Sequence, residues 1–246
     1  MVGRGSAAGM ITVLLPPGRV SVGDVVPLDP AETHHLRVRR AGEAISVWLR
    51  DGRGLVGTGT LRDERGSIAV VVEQAEMAPR PAPLRLAVAA GDRDRFAWLV
   101  EKATELGVTD IFLITTEHTG AVATRMREGQ LARVRRRAIE AVKQCGAAWA
   151  PEVHPAQLMA GLFTQPLEGA RWVADVEGRA VPPAFGAGPC TILVGPEGGL
   201  SRAEQESAAA AGFLPVRLAA NVLRFETAAL AAAACAAAAR SGGGDG

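Results

Sequence analysis

Residues 192–204 read ILVGPEGGLSRAE. An apolar run ends in a loop with three glycines, a proline and a glutamate, and Ser201 then opens a segment with helix-start chemistry. A strand that leads through a glycine-rich loop into a helix is the unit of an open parallel sheet, where ligands sit beyond the carboxyl ends of the strands. Glycine allows close backbone approach and positive φ, and Pro196 stiffens the turn. Ser201 and Glu204 have the spacing of a capping box. The loop lacks the lysine of GxxxxGK[ST] and the spacing of GxGxxG. Glu197 would repel a phosphate but tolerate a neutral or cationic ligand. On spacing alone, a structural turn accounts for the loop at least as well as a ligand site.

A second stretch, LAANVLRFETAAL at 218–230, also follows a strand and places Arg224, Glu226 and Thr227 at a helix entrance. Two adjacent strand ends of this kind make a cleft. Capping alone also accounts for Thr227.

Working outward, LRLAVAA (84–90), TDIFLITT (109–116), ARWVADV (170–176), CTILVG (190–195) and LPVRLA (214–219) read as strands. They alternate with helical patterns at 94–107, 126–145, 201–212 and 226–239. In the first of these, Phe96, Leu99, Val100, Ala103 and Leu106 share a face, and Gly107 stands where a C-cap belongs. The alternation predicts an α/β fold with a largely parallel sheet and helices on both faces. Ahead of it, MAPRPAP (77–83) carries three prolines and reads as a linker. Residues 44–61 and 66–75 are short alternating runs cut by Asp-Gly and Arg-Gly turns, which predict a small β-barrel. The expected domains are therefore 1–77 and 78–246.

Net charge is only +1, so nucleic-acid binding would need a local basic patch. Arg133, Arg135, Arg136 and Arg137 supply one on the helix at 126–145. His34, Arg37, Arg39 and Arg40 supply another near the N-terminus. Cys145, Cys190 and Cys235 are odd in number and far apart, which excludes a disulfide framework and fits a reducing compartment. His34, His35, His118 and His154 form no HExxH pattern, so no metal is expected. The early apolar run is too short for a signal peptide, and the alanine run at 228–239 is too short to span a bilayer. A cytoplasmic protein without a membrane partner is expected. Trp48, Trp98, Trp149 and Trp172 are expected in the core.

The two loop segments, together with WLVEKATELGVTDI (98–111), AIEAVKQCGAAWAPEV (138–153), HHLRVRR (34–40) and LRDGRG (49–54), resemble the RsmE family of 16S ribosomal RNA methyltransferases in the SPOUT superfamily. The resemblance covers nearly the whole chain in order. It implies a PUA-like β-barrel before a trefoil-knotted parallel-sheet domain, a homodimer, and S-adenosyl-L-methionine as donor. The implied reaction methylates N3 of a uridine in 16S rRNA, free or in the small ribosomal subunit.

By matching positions, the resemblance implies donor contacts at Leu193, Gly195, Glu197, Gly198, Leu218, Val222, Leu223, Arg224 and Thr227. Arg224 would stabilise a uracil anion, with Glu226 or Glu197 accepting the proton. RNA contacts fall to His34, Arg37, Arg40, Arg133, Arg136 and Arg137. The chain departs from the family at Asn221, Ala147 and His118, where arginines are usual, at Asp92, where a basic residue is usual, and at Ala219, where glycine is usual. The donor loop is intact while several positive charges are gone. A diverged paralogue acting on another RNA, and a non-catalytic RNA-binding protein that keeps the knot, are the alternatives.

Overall fold

The computed structural model describes residues 10–38, 45–64, 67–119, 126, 128–182 and 188–242. Arg39, Arg40 and the end of the glycine-rich tail lie outside them. The chain divides into two compact units: Met1–Arg80 with Val142–Trp149, and Pro81–Ala141 with Ala150–Gly246.

In the N-terminal unit, β1 (Ile11–Leu14), β2 (Val25–Pro27), β3 (Ser46–Arg50), β4 (Leu55–Glu64) and β5 (Ser67–Met77) form a sheet ordered β1-β3-β4-β5-β2. The β1–β3 pair is parallel and the other pairs are antiparallel. The Asp-Gly and Arg-Gly signals mark a real turn: Asp51 Oδ1 accepts from Arg53 N (2.7 Å) and Leu55 N (2.9 Å), and Gly52 and Gly54 take positive φ. Helix α1 (Pro30–Val38), which the sequence patterns did not announce, buries Leu36 against Val47, Leu49 and Val70. Its Glu32 accepts a 2.7 Å hydrogen bond from Lys143, a nearly buried ion pair.

The second unit contains a sheet of β6 (Leu84–Val88), β7 (Asp110–Thr115), β8 (Glu152–Leu158), β9 (Ala170–Ala180), β10 (Cys190–Val194) and β11 (Leu214–Arg217). Its order is β11-β9-β10-β6-β7-β8, and every pairing is parallel. Side chains alternate across a strand, and here both alternations are apolar. Leu84, Leu86, Val88, Ile111, Leu113, Ile192 and Val194 enter one cluster with α2 (Arg93–Glu105), α3 (Glu128–Cys145) and α6 (Phe225–Gly242). Ala87, Phe112, Ile114, Val173 and Leu193 enter another with α4 (Met159–Phe163) and α5 (Arg202–Ala210). Burial on both faces explains why these strands read as continuous apolar runs.

Local signals hold where their chemistry is strong. Gly107 follows α2 with φ 73°. Asp92 caps the start of that helix by accepting from Arg95 N (2.9 Å). Arg240, near the end of α6, donates to the carbonyls of Ala82, Pro83 and Gly188. The tryptophan expectation needs correction: Trp172 is buried, but Trp98 is 45% exposed on α2. Cys145, Cys190 and Cys235 are all free thiols, and burial pushes the Cys190 thiol up to about 12.

Candidate active site

The expected cleft is present, with one correction to its construction. β10 and β11 are not neighbours; β9 lies between them. The middle of β9 and the carboxyl ends of β10 and β11 together wall a cavity of about 790 Å³. That volume suits a nucleoside-sized ligand.

The wall from β10 is the glycine loop. Gly199 N donates to Pro196 O (2.8 Å), closing a turn in which Gly199 has φ 74°. A Cβ on Gly195 would sit 3.2 Å from the Leu200 side chain, and one on Gly198 would sit 3.3 Å from His118. The capping box is complete: Ser201 accepts from Glu204 N, and Glu204 Oε2 accepts from Ser201 N (2.9 Å). The other Glu204 oxygen accepts from Glu117 N (2.8 Å), tying this helix start to the loop after β7. On that loop, His118 Nδ1 lies 3.0 Å from Gly199 O.

Sequence reading missed the wall from β9. In the β9–β11 pairing, Pro215 stands opposite Val173, but Val216 stands opposite Arg179. Five residues, 174–178, therefore leave the ladder, and Ala174, Asp175, Val176 and Glu177 line the cavity. Asp175 Oδ1 accepts from Glu177 N (2.8 Å), shaping the excursion. Gly178 closes it, since a Cβ there would lie 2.6 Å from Val216 N. The apolar run ARWVADV hid the bulge, and Gly178 was the available signal.

Of the donor candidates, Gly195, Glu197, Gly198, Leu218, Val222 and Leu223 line the cavity; Leu193, Arg224 and Thr227 are not among its lining residues. Leu193 is fully buried in the sheet, and Arg224 and Thr227 are exposed. Phe225, absent from the sequence candidates, lines the cavity from the core. Asn221 and Ala219, two of the divergent positions, also line it. Glu226 is buried beside Phe225. Its Oε1 lies 3.8 Å from Arg95 Nε, and its Oε2 has no hydrogen-bond donor.

Asp175, Glu177, Glu197 and Glu206 line the cavity, with no Lys, Arg or His among the described lining residues. Exposed main chain, aliphatic side chains and carboxylates fit a ligand that carries positive charge and an apolar body.

The RNA candidates behave differently. Arg133, Arg136 and Arg137 are exposed along α3, opposite buried Leu131, Val134 and Ala138. Arg135 instead bonds Val153 O and Glu128. His34 and Arg37 are exposed on α1, and Arg40 lies outside the described residues.

Away from the cavity, Asp110, Glu152 and His154 bring ligand-type atoms within 4.8 Å of one another. They meet through the β7–β8 register, which linear spacing does not reveal. His154 stacks on Phe112 and lies 3.4 Å from Asp110. Burial opposes ionisation of Asp110, but His154, Thr109 and Arg85 outweigh it and hold the carboxyl below its ordinary value.

The family model for the RNA methyltransferase domain matches residues 78–237. Ribosomal RNA small subunit methyltransferase E of Synechocystis is 31% identical over 214 residues, covering 82% of this chain and 69% of that protein. The crystal structure of the Neisseria gonorrhoeae protein of the same name, bound to S-adenosyl methionine, superposes with a TM-score of 0.80 at 29% identity. The match covers 92% of this chain and 95% of that one. A Legionella pneumophila methyltransferase structure, also holding that cofactor, gives a TM-score of 0.77 at 25% identity, covering 94% and 98%. The chain belongs to the RNA methyltransferase family, among the relatives of ribosomal RNA small subunit methyltransferase E.

Proposed function

We propose that the protein transfers a methyl group from S-adenosyl-L-methionine to N3 of a uridine in 16S ribosomal RNA. The observation that carries this reading is the cavity built from the β9 excursion and the ends of β10 and β11, one of them the GPEGG loop, in a chain of this family.

The donor supplies a methyl group activated by a sulfonium. Gly195, Gly198, Leu218, Val222 and Leu223 would hold it through main chain and aliphatic contact, with Glu197 on the same wall of the cavity. Leu193 supports the loop from beneath, and Thr227 and Arg224 flank the entrance of α6. Fixing donor and base in one geometry provides much of the rate. Uridine N3 carries a proton, so a base is also needed. Arg224, exposed before α6, stabilises the uracil anion as it forms. Glu226 accepts the proton, or Glu197 does. Glu197 lines the cavity, whereas Glu226, whose Oε2 lacks a hydrogen-bond donor, is buried beside Phe225 and is not among the lining residues.

Arg133, Arg136 and Arg137, with His34, Arg37 and Arg40, contact RNA phosphates. The reading includes a trefoil knot, a PUA-like barrel over 1–77 before a catalytic domain over 78–246, a homodimer and a cytoplasmic location. The position of β11 outside β9, with the following α6 returning onto β6 and β10, supports the knot. No helix among the described residues is long and apolar enough to cross a membrane.

The test is methyl transfer from labelled donor to small ribosomal subunits from a strain lacking the modification, with the product nucleoside identified by mass spectrometry. N3-methyluridine is expected. Donor binding without transfer would favour a non-catalytic or retargeted protein, as the lost charges at Asn221, Ala147, His118 and Asp92 would allow.

A further inference from the structure

We propose that Asp175 and Glu177, carried into the pocket by the β9 excursion, make it select the positively charged donor and release the neutral product. This deepens the donor-pocket reading and rests on it.

Transfer breaks the bond between the methyl carbon and sulfur and forms one between that carbon and N3. Sulfur keeps the electron pair and becomes a neutral thioether, while the N3 proton passes to the base. The ligand in the pocket therefore loses one positive charge. Its adenosine and amino-acid parts are unchanged, so shape alone distinguishes donor from product by a single methyl group. A methyl-sized difference gives weak discrimination. Charge supplies a second means.

Four carboxylates line the cavity with no cation among the described lining residues. Glu206 is paired with Arg202 at 3.0 Å. Glu197 lies against the chain at Gly91, where a Cβ would be 3.2 Å from its Oε2. The remaining two come from one structural device. The excursion exists only because five residues of β9 leave the ladder, Asp175 turns it, and Gly178 lets it close against Val216. Carboxylates in a concave, partly apolar site act on a nearby charge more strongly than on an open surface.

Calorimetric titration of the full-length protein with S-adenosylmethionine, S-adenosylhomocysteine and sinefungin separates charge from shape. Sinefungin carries an amine where the donor carries its sulfonium. At about 50 mM salt, donor and sinefungin should each bind about tenfold tighter than S-adenosylhomocysteine, and the gap should narrow at about 500 mM as screening grows. The double variant D175N/E177Q should bring the three affinities within about twofold of one another. Glu177→Gln alone keeps the Asp175 turn and should close part of the gap, with a circular-dichroism melt reporting that the fold is kept.

Equal or tighter wild-type binding of S-adenosylhomocysteine would overturn the inference while leaving the donor pocket standing. So would a gap that survives neutralisation in a folded variant. Binding of none of the three would overturn the pocket reading, and the inference with it.

Discussion

The cavity and the exposed arginines of α3 show two ways of holding functional groups. The cavity is made of backbone turns closed by glycines and backed by the core: Phe225 lines it and is itself almost fully buried. Arg133, Arg136 and Arg137 stand on the solvent side of a helix whose other face carries Leu131, Val134 and Ala138. A site built from the core cannot change without cost to folding, whereas a row of surface side chains can drift.

The largest effect should come from cutting into the cavity wall. Phe225→Ala removes a buried aromatic side chain and should cost about 3–5 kcal/mol in urea unfolding, with donor affinity falling alongside. A variant of wild-type stability would break the contrast, because the wall would then not be part of the core.

Arg224→Ala should leave stability and donor affinity near wild type but reduce the methyl-transfer rate about 100-fold, as loss of one group that stabilises developing charge does. Arg224 is exposed and outside the cavity lining, so its role is read from transfer rather than from donor binding. Full transfer by the folded variant would remove it from the reaction.

How far the sequence led depended on how local each signal is. The capping box at Ser201–Glu204, the Asp51–Gly54 turn and Gly107 after α2 are contacts between near neighbours, so residue identity specifies them. The parallel strands were legible because both faces are apolar. The excursion at 174–178 was hidden because it is defined against β11, roughly 40 residues later, and Gly178 was its one local sign. The burial of Glu226 and its approach to Arg95 depend on α6 packing beside α2, which no linear spacing shows. Trp98 was misplaced for a related reason. Its apolarity suggested the core, but the inward face of α2 was already filled by Phe96, Leu99, Val100 and Ala103.

A triple change, R133A/R136A/R137A, should shift melting little, because the three side chains lie on the exposed face. Its effect belongs to RNA. The Michaelis constant for the subunit should rise, and the slope of log affinity against log salt should fall by up to about three units, near one per lost phosphate contact. An unchanged slope would move RNA binding off this helix.

The smallest effect tests how the glycine loop is held. Glu204 uses one oxygen for Ser201 N (2.9 Å) and the other for Glu117 N (2.8 Å). It thereby joins the helix that follows GPEGG to the loop carrying His118, which reaches Gly199 O. Glu204→Gln preserves shape but offers only one accepting oxygen, so one backbone N–H loses its partner. The loss should be about 1–2 kcal/mol, seen as a fall of a few degrees in Tm. Donor affinity should weaken severalfold with it, because the loop that lines the cavity would lose one of its ties. If stability falls and donor affinity does not, the glycine loop holds its shape from its own turn, Pro196 O to Gly199 N, and the outer contacts serve only the fold. If both stay at wild type, the loop from β7 is not coupled to the cavity. The contrast between a core-built pocket and free surface arginines would then narrow to the wall around Phe225.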